Sequence, residues 1–116
     1  MSKHDDQVYI RHILDAILRI QRYTDPLDMD EFMESDMEQD AVIRQFEIIG
    51  EASKQVSAPF VESNKDVPWS KMARMRDKLI HRYIDVDLEL VWKTIKDDLP
   101  GLVPLLKALL PAGEPS

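Results

Sequence analysis

Ile10-Arg11-His12-Ile13-Leu14-Asp15-Ala16-Ile17-Leu18-Arg19-Ile20 decides the fold class of this chain. Ile10, Ile13, Leu14, Ile17 and Ile20 recur at the spacing that lines one side of an α-helix, with Arg11, Asp15, Arg19 and Arg22 opposite. The pattern predicts a helix from about Asp5 to Tyr23, ended by Thr24-Asp25-Pro26. Outward from it the same periodicity repeats. Asp28 and Glu31 have capping-box spacing and predict a short helix to about Glu34. A long helix follows from about Asp36 to Ser57, burying Val42, Phe46, Ile49 and Val56 and exposing Arg44, Glu47, Glu51 and Lys54. Gly50 inside it costs roughly 1 kcal/mol of helix propensity against Ala, which implies close approach of another backbone. Pro59 is expected to close this helix and residues 60–68 to form a loop.

A third helix is predicted from about Trp69 to Tyr83. Asp87 should cap a fourth, in which Leu88, Val91, Trp92, Ile95 and Leu99 keep helical spacing until Pro100-Gly101 stops it. A short apolar helix over about Leu102 to Leu110 then precedes a tail, 111–116, expected to fray. No strand pattern or internal repeat is present. The expectation is an all-α, antiparallel four-helix bundle with short additional helices, occupying 1–110 as one domain.

The composition bounds the function. The 116 residues are 44% hydrophobic and 32% charged, with three Gly and no Cys, which suits one helical domain and excludes disulfides and thiolate metal sites. The N-terminus is polar, and the apolar stretches are too short to span a bilayer, so a cytoplasmic protein without membrane association is expected. Net charge is −7, yet it is unevenly placed. Residues 1–40 carry four basic and eleven acidic side chains, whereas 41–116 carry eleven of each. Within the latter, Lys71 to Arg82 holds five basic residues against Asp77 alone. A local basic patch on an acidic protein is a site rather than a general polyanion surface.

That patch contains Arg76-Asp77-Lys78-Leu79-Ile80-His81-Arg82-Tyr83. At roughly 100° per residue, an unbroken helix puts Trp69, Met72, Ala73, Leu79 and Ile80 on one apolar side with Arg76 and Tyr83 among them. Lys71, Arg74, Lys78 and Arg82 fall opposite. A guanidinium turned inward needs a carboxylate or an anionic ligand. Either Arg76 pairs structurally with Glu47 or Glu51, or it serves an anion.

These residues carry a resemblance. Phe46-Glu47-Ile48-Ile49-Gly50-Glu51-Ala52-Ser53-Lys54 resembles the Gly-Glu-Ala helix of the HepT-like HEPN proteins. Pro68-Trp69 followed by Met75 to Tyr83 is similar to that family's Arg-x4-His-x-Tyr motif with its preceding Trp. Asp85-Val86-Asp87, Val91-Trp92 and Asp98-Leu99-Pro100 match its C-terminal half. The resemblance covers most of the chain and is strongest from Asp40 to Leu102. It implies a HEPN-type helical bundle that dimerises and acts as the toxin of a toxin–antitoxin pair by metal-independent cleavage of RNA. Its implied partner is a minimal nucleotidyltransferase (MNT) antitoxin, which adenylylates the motif tyrosine. Carried over by position, Arg76 and His81 are the catalytic pair, Asp77 supports them and Tyr83 is the modification target. Arg82 stands where many relatives have Gly.

The chemistry is coherent with those residue types. An RNA 2′-hydroxyl can attack its own phosphate if a proton acceptor, a proton donor and positive charge are supplied. His81, with an ordinary pKa of about 6.5, can fill either proton role. Arg76 can hold the phosphorane oxygens with its fork. Asp77, four residues before His81, could orient the imidazole if both were on one helix. One His cannot be acid and base at once, so a dimer joining two copies of Arg76 and His81 is expected. Lys78, Arg82 and Arg74 are candidates for RNA contact. Neither a metal nor a cofactor is expected. The rival reading is a non-catalytic helical subunit that binds a nucleotidyltransferase.

Overall fold

The computed structural model describes residues 3–82 and 85–111, with side chains described for 5–79 and 86–111. Two long helices form its centre, α1 (Lys3–Thr24) and α3 (Asp36–Gln55). The α1 stripe is fully buried: Ile10, Ile13, Leu14, Ile17 and Ile20 are all 0% exposed. Val42, Phe46 and Ile49 of α3 close over it. Asp6 fixes how the two helices meet. Its carboxylate, 2% exposed, accepts from the Ser57 backbone N–H at 2.8 Å and from the Ser57 hydroxyl at 2.7 Å. The start of α1 therefore sits at the end of α3, and the two helices run antiparallel.

Between them, α2 (Met29–Met33) has the capping box the sequence predicts, with Asp28 and Glu31 each accepting the other's backbone N–H. Phe32 is buried and stacks at a tilt on Trp92, ring centres 5.3 Å apart.

Past α3 the chain departs from the expected loop. Ala58–Ser63 is a short helix, α4, with Pro59 in its first turn. Proline suits that position because the first turn needs no N–H partner and its φ is already helical. The following segment is tied down by Trp69, whose indole N–H donates to the Asn64 carbonyl at 2.9 Å. The ring is buried and meets Phe60 edge-on.

The expected single helix from Trp69 to Tyr83 is three shorter pieces. α5 (Trp69–Ala73) ends at Arg74, whose backbone relaxes to φ −97°, ψ 0°. α6 (Met75–Leu79) follows at once, and the chain then turns extended as β1 (Ile80–Arg82), which pairs antiparallel with β2 (Asp85–Val86). The physical reason is competition for hydrogen bonds. The Leu79 carbonyl, which a continuing helix would keep for its own next turn, accepts the Asp87 N–H at 3.1 Å. Ile80 pairs with Val86 across the strands, and a β-branched residue at each position favours the pleated conformation over another turn of helix. Met72, Met75 and Leu79 still reach the core, so the break preserves the apolar face. Among the described residues the protein is all-α apart from this minimal hairpin.

Asp87 caps α7 (Leu88–Lys93), accepting the Leu90 N–H at 3.0 Å. Pro100 does not stop the helical run. Thr94–Asp98 widens into a π-helical segment, with the Leu99 N–H reaching back to the Thr94 carbonyl, and α8 (Leu99–Lys107) continues with Pro100 in its first turn. The wider turn relieves the carbonyl that a proline ring would strike in a regular helix. Leu99, Leu102 and Leu106 then pack toward α1. The third and fourth members of the expected bundle are thus composite, α5–α6 on α3 and α7 to α8 on α1 and α2. Of the expected tail 111–116, residues 112–116 lie outside the described residues. Among the described residues, no helix is long and apolar enough to cross a membrane.

Candidate active site

Gly50 and Arg76 meet where α6 crosses α3. A Cβ built on Gly50 would lie 3.5 Å from both the Ala73 carbonyl oxygen and the Arg76 Cβ. The glycine thus marks the close backbone approach its sequence position implied, and it sets Arg76 beside α3. A methyl group would still make ordinary contact there; a larger side chain would push α6 away.

Arg76 is not drawn into the core. Its Cβ faces α3, but its side chain is 43% exposed, because the aliphatic stem runs along the helix surface and carries the charge out to water. Two carboxylates flank the guanidinium. Nε lies 4.0 Å from Glu47 Oε2, and one terminal nitrogen donates to Asp77 Oδ1 at 3.3 Å. Glu47 and Asp77 are themselves 39% and 61% exposed. Pairs of this length in water contribute on the order of 0–1 kcal/mol each. They orient the fork without neutralising it or sealing it off. Of the two structural partners the sequence offered, Glu47 is the one that faces Arg76, and only at long range.

His81 lies on β1, two residues beyond the end of α6. The helical spacing that would have set Asp77 one turn before it is therefore absent, and Asp77 contacts Arg76. Tyr83 lies outside the described residues, as do the side chains of His81 and Arg82. What the backbone shows is a cation at the exposed edge of α6, followed directly by a hairpin that carries the histidine.

The remaining basic residues gather on the outer side of this segment. Lys71, Arg74 and Lys78, with Asp77, line a cleft of about 530 Å³. Lys78 is two residues past Arg76, or about 200° round the helix, and Arg76 does not itself line the cleft, although Asp77 touches both. Lys71 also reaches Asp98 at 3.5 Å. Two of the three candidates for RNA contact, Arg74 and Lys78, are thus brought together, and Lys71 joins them. Among the described residues, no group of three or more His, Asp or Glu side chains is placed to hold a metal ion.

Comparison with known proteins fits this arrangement. A family model described as Ribonuclease HepT-like matches residues 13–109. The chain belongs to the HepT-like family. It is 44% identical over 100 residues to a Thermococcus cleftensis protein named "Probable ribonuclease HepT", covering 86% of this chain and 91% of that one. It is 40% identical over 102 residues to a Methanocaldococcus jannaschii protein provisionally named an RNase, covering 88% and 94%. A second protein from that organism, whose name joins a gamma-glutamylcyclotransferase to a provisional RNase, is 45% identical over 100 residues. That match covers 86% of this HepT-like chain but 45% of the longer protein. No solved structure shows a significant match. The matched region spans Gly50, Arg76 and the hairpin, so the residues that build the site lie within the family's shared part.

Proposed function

We propose that this HepT-like protein is a metal-independent endoribonuclease, with Arg76 and His81 as its catalytic pair. The observation that carries the reading is Arg76 itself. A guanidinium anchored at its base by the α3–α6 crossing, loosely flanked by Glu47 and Asp77 and open to water, is a cation within reach of an anion from solution. Family membership supplies the anion's identity, an RNA phosphodiester.

The reaction follows from the side chains. The 2′-hydroxyl oxygen attacks phosphorus while its proton passes to a base. The bond from phosphorus to the 5′-oxygen breaks, and that oxygen takes a proton from an acid. The products are a 2′,3′-cyclic phosphate and a 5′-hydroxyl, with no atom taken from water. Arg76 stabilises the charge that grows on the phosphorane oxygens, an effect typically worth about 3–4 kcal/mol per well-placed donor. His81 serves as one proton-transfer group. A second copy supplies the other, so the working enzyme is a homodimer whose two Arg76–His81 pairs share a cleft. Asp77 acts on Arg76, holding one terminal nitrogen so that the fork keeps its orientation.

The biological setting is a toxin–antitoxin pair. The partner is a nucleotidyltransferase of the MNT type that binds this chain and transfers AMP to Tyr83, blocking the cleft and adding charge two residues from His81. Arg74, Lys78 and Arg82 contact the RNA backbone. Expression of the chain alone in bacteria should arrest growth, and the His81→Ala variant, made to equal levels, should not. Equal growth of both would favour a non-catalytic subunit that binds the nucleotidyltransferase. Labelled ATP with the partner enzyme should mark the wild type and leave Tyr83→Phe unlabelled.

A further inference from the structure

We infer that the cleft lined by Lys71, Arg74 and Lys78 is a subsite for RNA phosphates that flank the bond that is cut; this rests on the nuclease reading above. Three observations carry it. The cleft is concave, about 530 Å³, and three of the four described side chains that line it are cationic, on a protein whose net charge is −7. An overall acidic surface repels polyanions, so a concave basic patch is where a strand can be held. Arg76 does not itself line the cleft, and its base is pressed against Gly50 of α3. The phosphates that the three cations bind are therefore neighbours of the one Arg76 holds. A strand passing from one to the other crosses Asp77, which touches both.

Asp77 stands at the junction. It bonds Arg76 at 3.3 Å and lines the cleft as well, so its charge separates the two anion positions and keeps one phosphate from bridging them. The Lys71–Asp98 pair at 3.5 Å, half-exposed on the lysine side, gives way readily to a phosphate, because ion pairs open to water are weak. An acidic protein surface fits less well. Protein docking draws its energy from buried aromatic or aliphatic anchors, and the described residues that line this cleft are Lys71, Arg74, Asp77 and Lys78. Lysine and arginine heads alone are enough for a phosphate backbone, and they read no bases.

The experiment uses the full chain and RNA–DNA chimeric oligonucleotides with one ribonucleotide, hence one cleavable bond. Dinucleotide, tetranucleotide and octanucleotide substrates are compared at low and moderate salt. For wild type, kcat/KM should rise roughly tenfold or more from dinucleotide to octanucleotide at low salt. In the Lys71→Ala/Arg74→Ala/Lys78→Ala variant that ratio should collapse toward one, and the log–log salt slope for the octanucleotide should fall by about 2, three single-strand phosphate contacts at roughly 0.7 each. A variant with Lys71→Arg and Lys78→Arg should keep the length dependence, which separates lost charge from lost folding. A triple variant that retains the wild-type ratio overturns the proposal. If wild type cleaves nothing, the nuclease reading fails instead. Fluorescence anisotropy with an all-deoxy octanucleotide then decides the cleft separately, since equal affinity of wild type and triple variant would rule it out.

Discussion

In α1 and α3 the apolar residues that the helical repeat selects are buried to the last atom, from Ile10 to Ile20 and from Val42 to Ile49. Between Trp69 and Val86 the same repeat is broken twice, at Arg74 and again after Leu79. The first region is a structure that explains itself. Each side chain is where its hydrophobicity sends it, and burial of such residues contributes about 1.5–3 kcal/mol apiece. The second places cations at a helix edge and a histidine on a short strand, features that contribute little to stability. Departures from local rule that gain no stability are expected where a protein acts rather than folds.

If that division is real, substitutions in the two regions should separate activity from stability. The largest effect belongs to His81→Ala, which should lower RNA cleavage by about 10²–10⁴ while the melting temperature stays near that of wild type. A matching collapse of thermal stability would mean that His81 is a packing residue. Next comes Phe46→Ala, at a fully buried position of α3. It should destabilise the fold by about 3–5 kcal/mol in urea titration, and any enzyme that remains folded should cut at an ordinary rate. Loss of specific activity in the folded fraction would erase the contrast.

Smaller changes probe the boundary. Asp6→Ala removes the two short hydrogen bonds that a buried carboxylate accepts from Ser57 and should cost about 1.5–3 kcal/mol, again by urea titration. Gly50→Ala is the subtlest. The added methyl would touch the Ala73 carbonyl and the Arg76 Cβ at 3.5 Å without clash, so the variant should match wild type or gain up to about 1 kcal/mol. Gly50→Leu, in contrast, should force α6 from α3 and reduce cleavage more than stability.

What the sequence made legible follows the same division. The α1 and α3 stripes, the Asp28–Glu31 box, the Asp87 cap and the meaning of Gly50 all rest on local spacing, and each is found where that spacing put it. The departures come from proline and from non-local pairing. Pro59 and Pro100 read as stops but serve as first-turn residues, since the surrounding chain removes the hydrogen bonds they cannot make. The hairpin was invisible because β1 and β2 have three and two residues, too few for a period to show. Arg76 was expected among apolar residues because a helical projection gives the direction of Cβ and not where a long side chain ends. The Asp6–Ser57 bond spans 51 residues, and no local pattern announces it. Lys71, Arg74 and Lys78 were visible as one side of a helix, whereas their enclosure of a cleft was not.

Whether Arg76 and His81 act together on an RNA phosphodiester is decided by single-turnover cleavage of a chimeric RNA in the presence of a chelator, by wild type, Arg76→Ala and His81→Ala. Wild type should release a 2′,3′-cyclic phosphate product, and each variant should be at least about a hundredfold slower while equally well folded. Cleavage by either variant at the wild-type rate would remove that residue from the chemistry and with it the joint action of the pair.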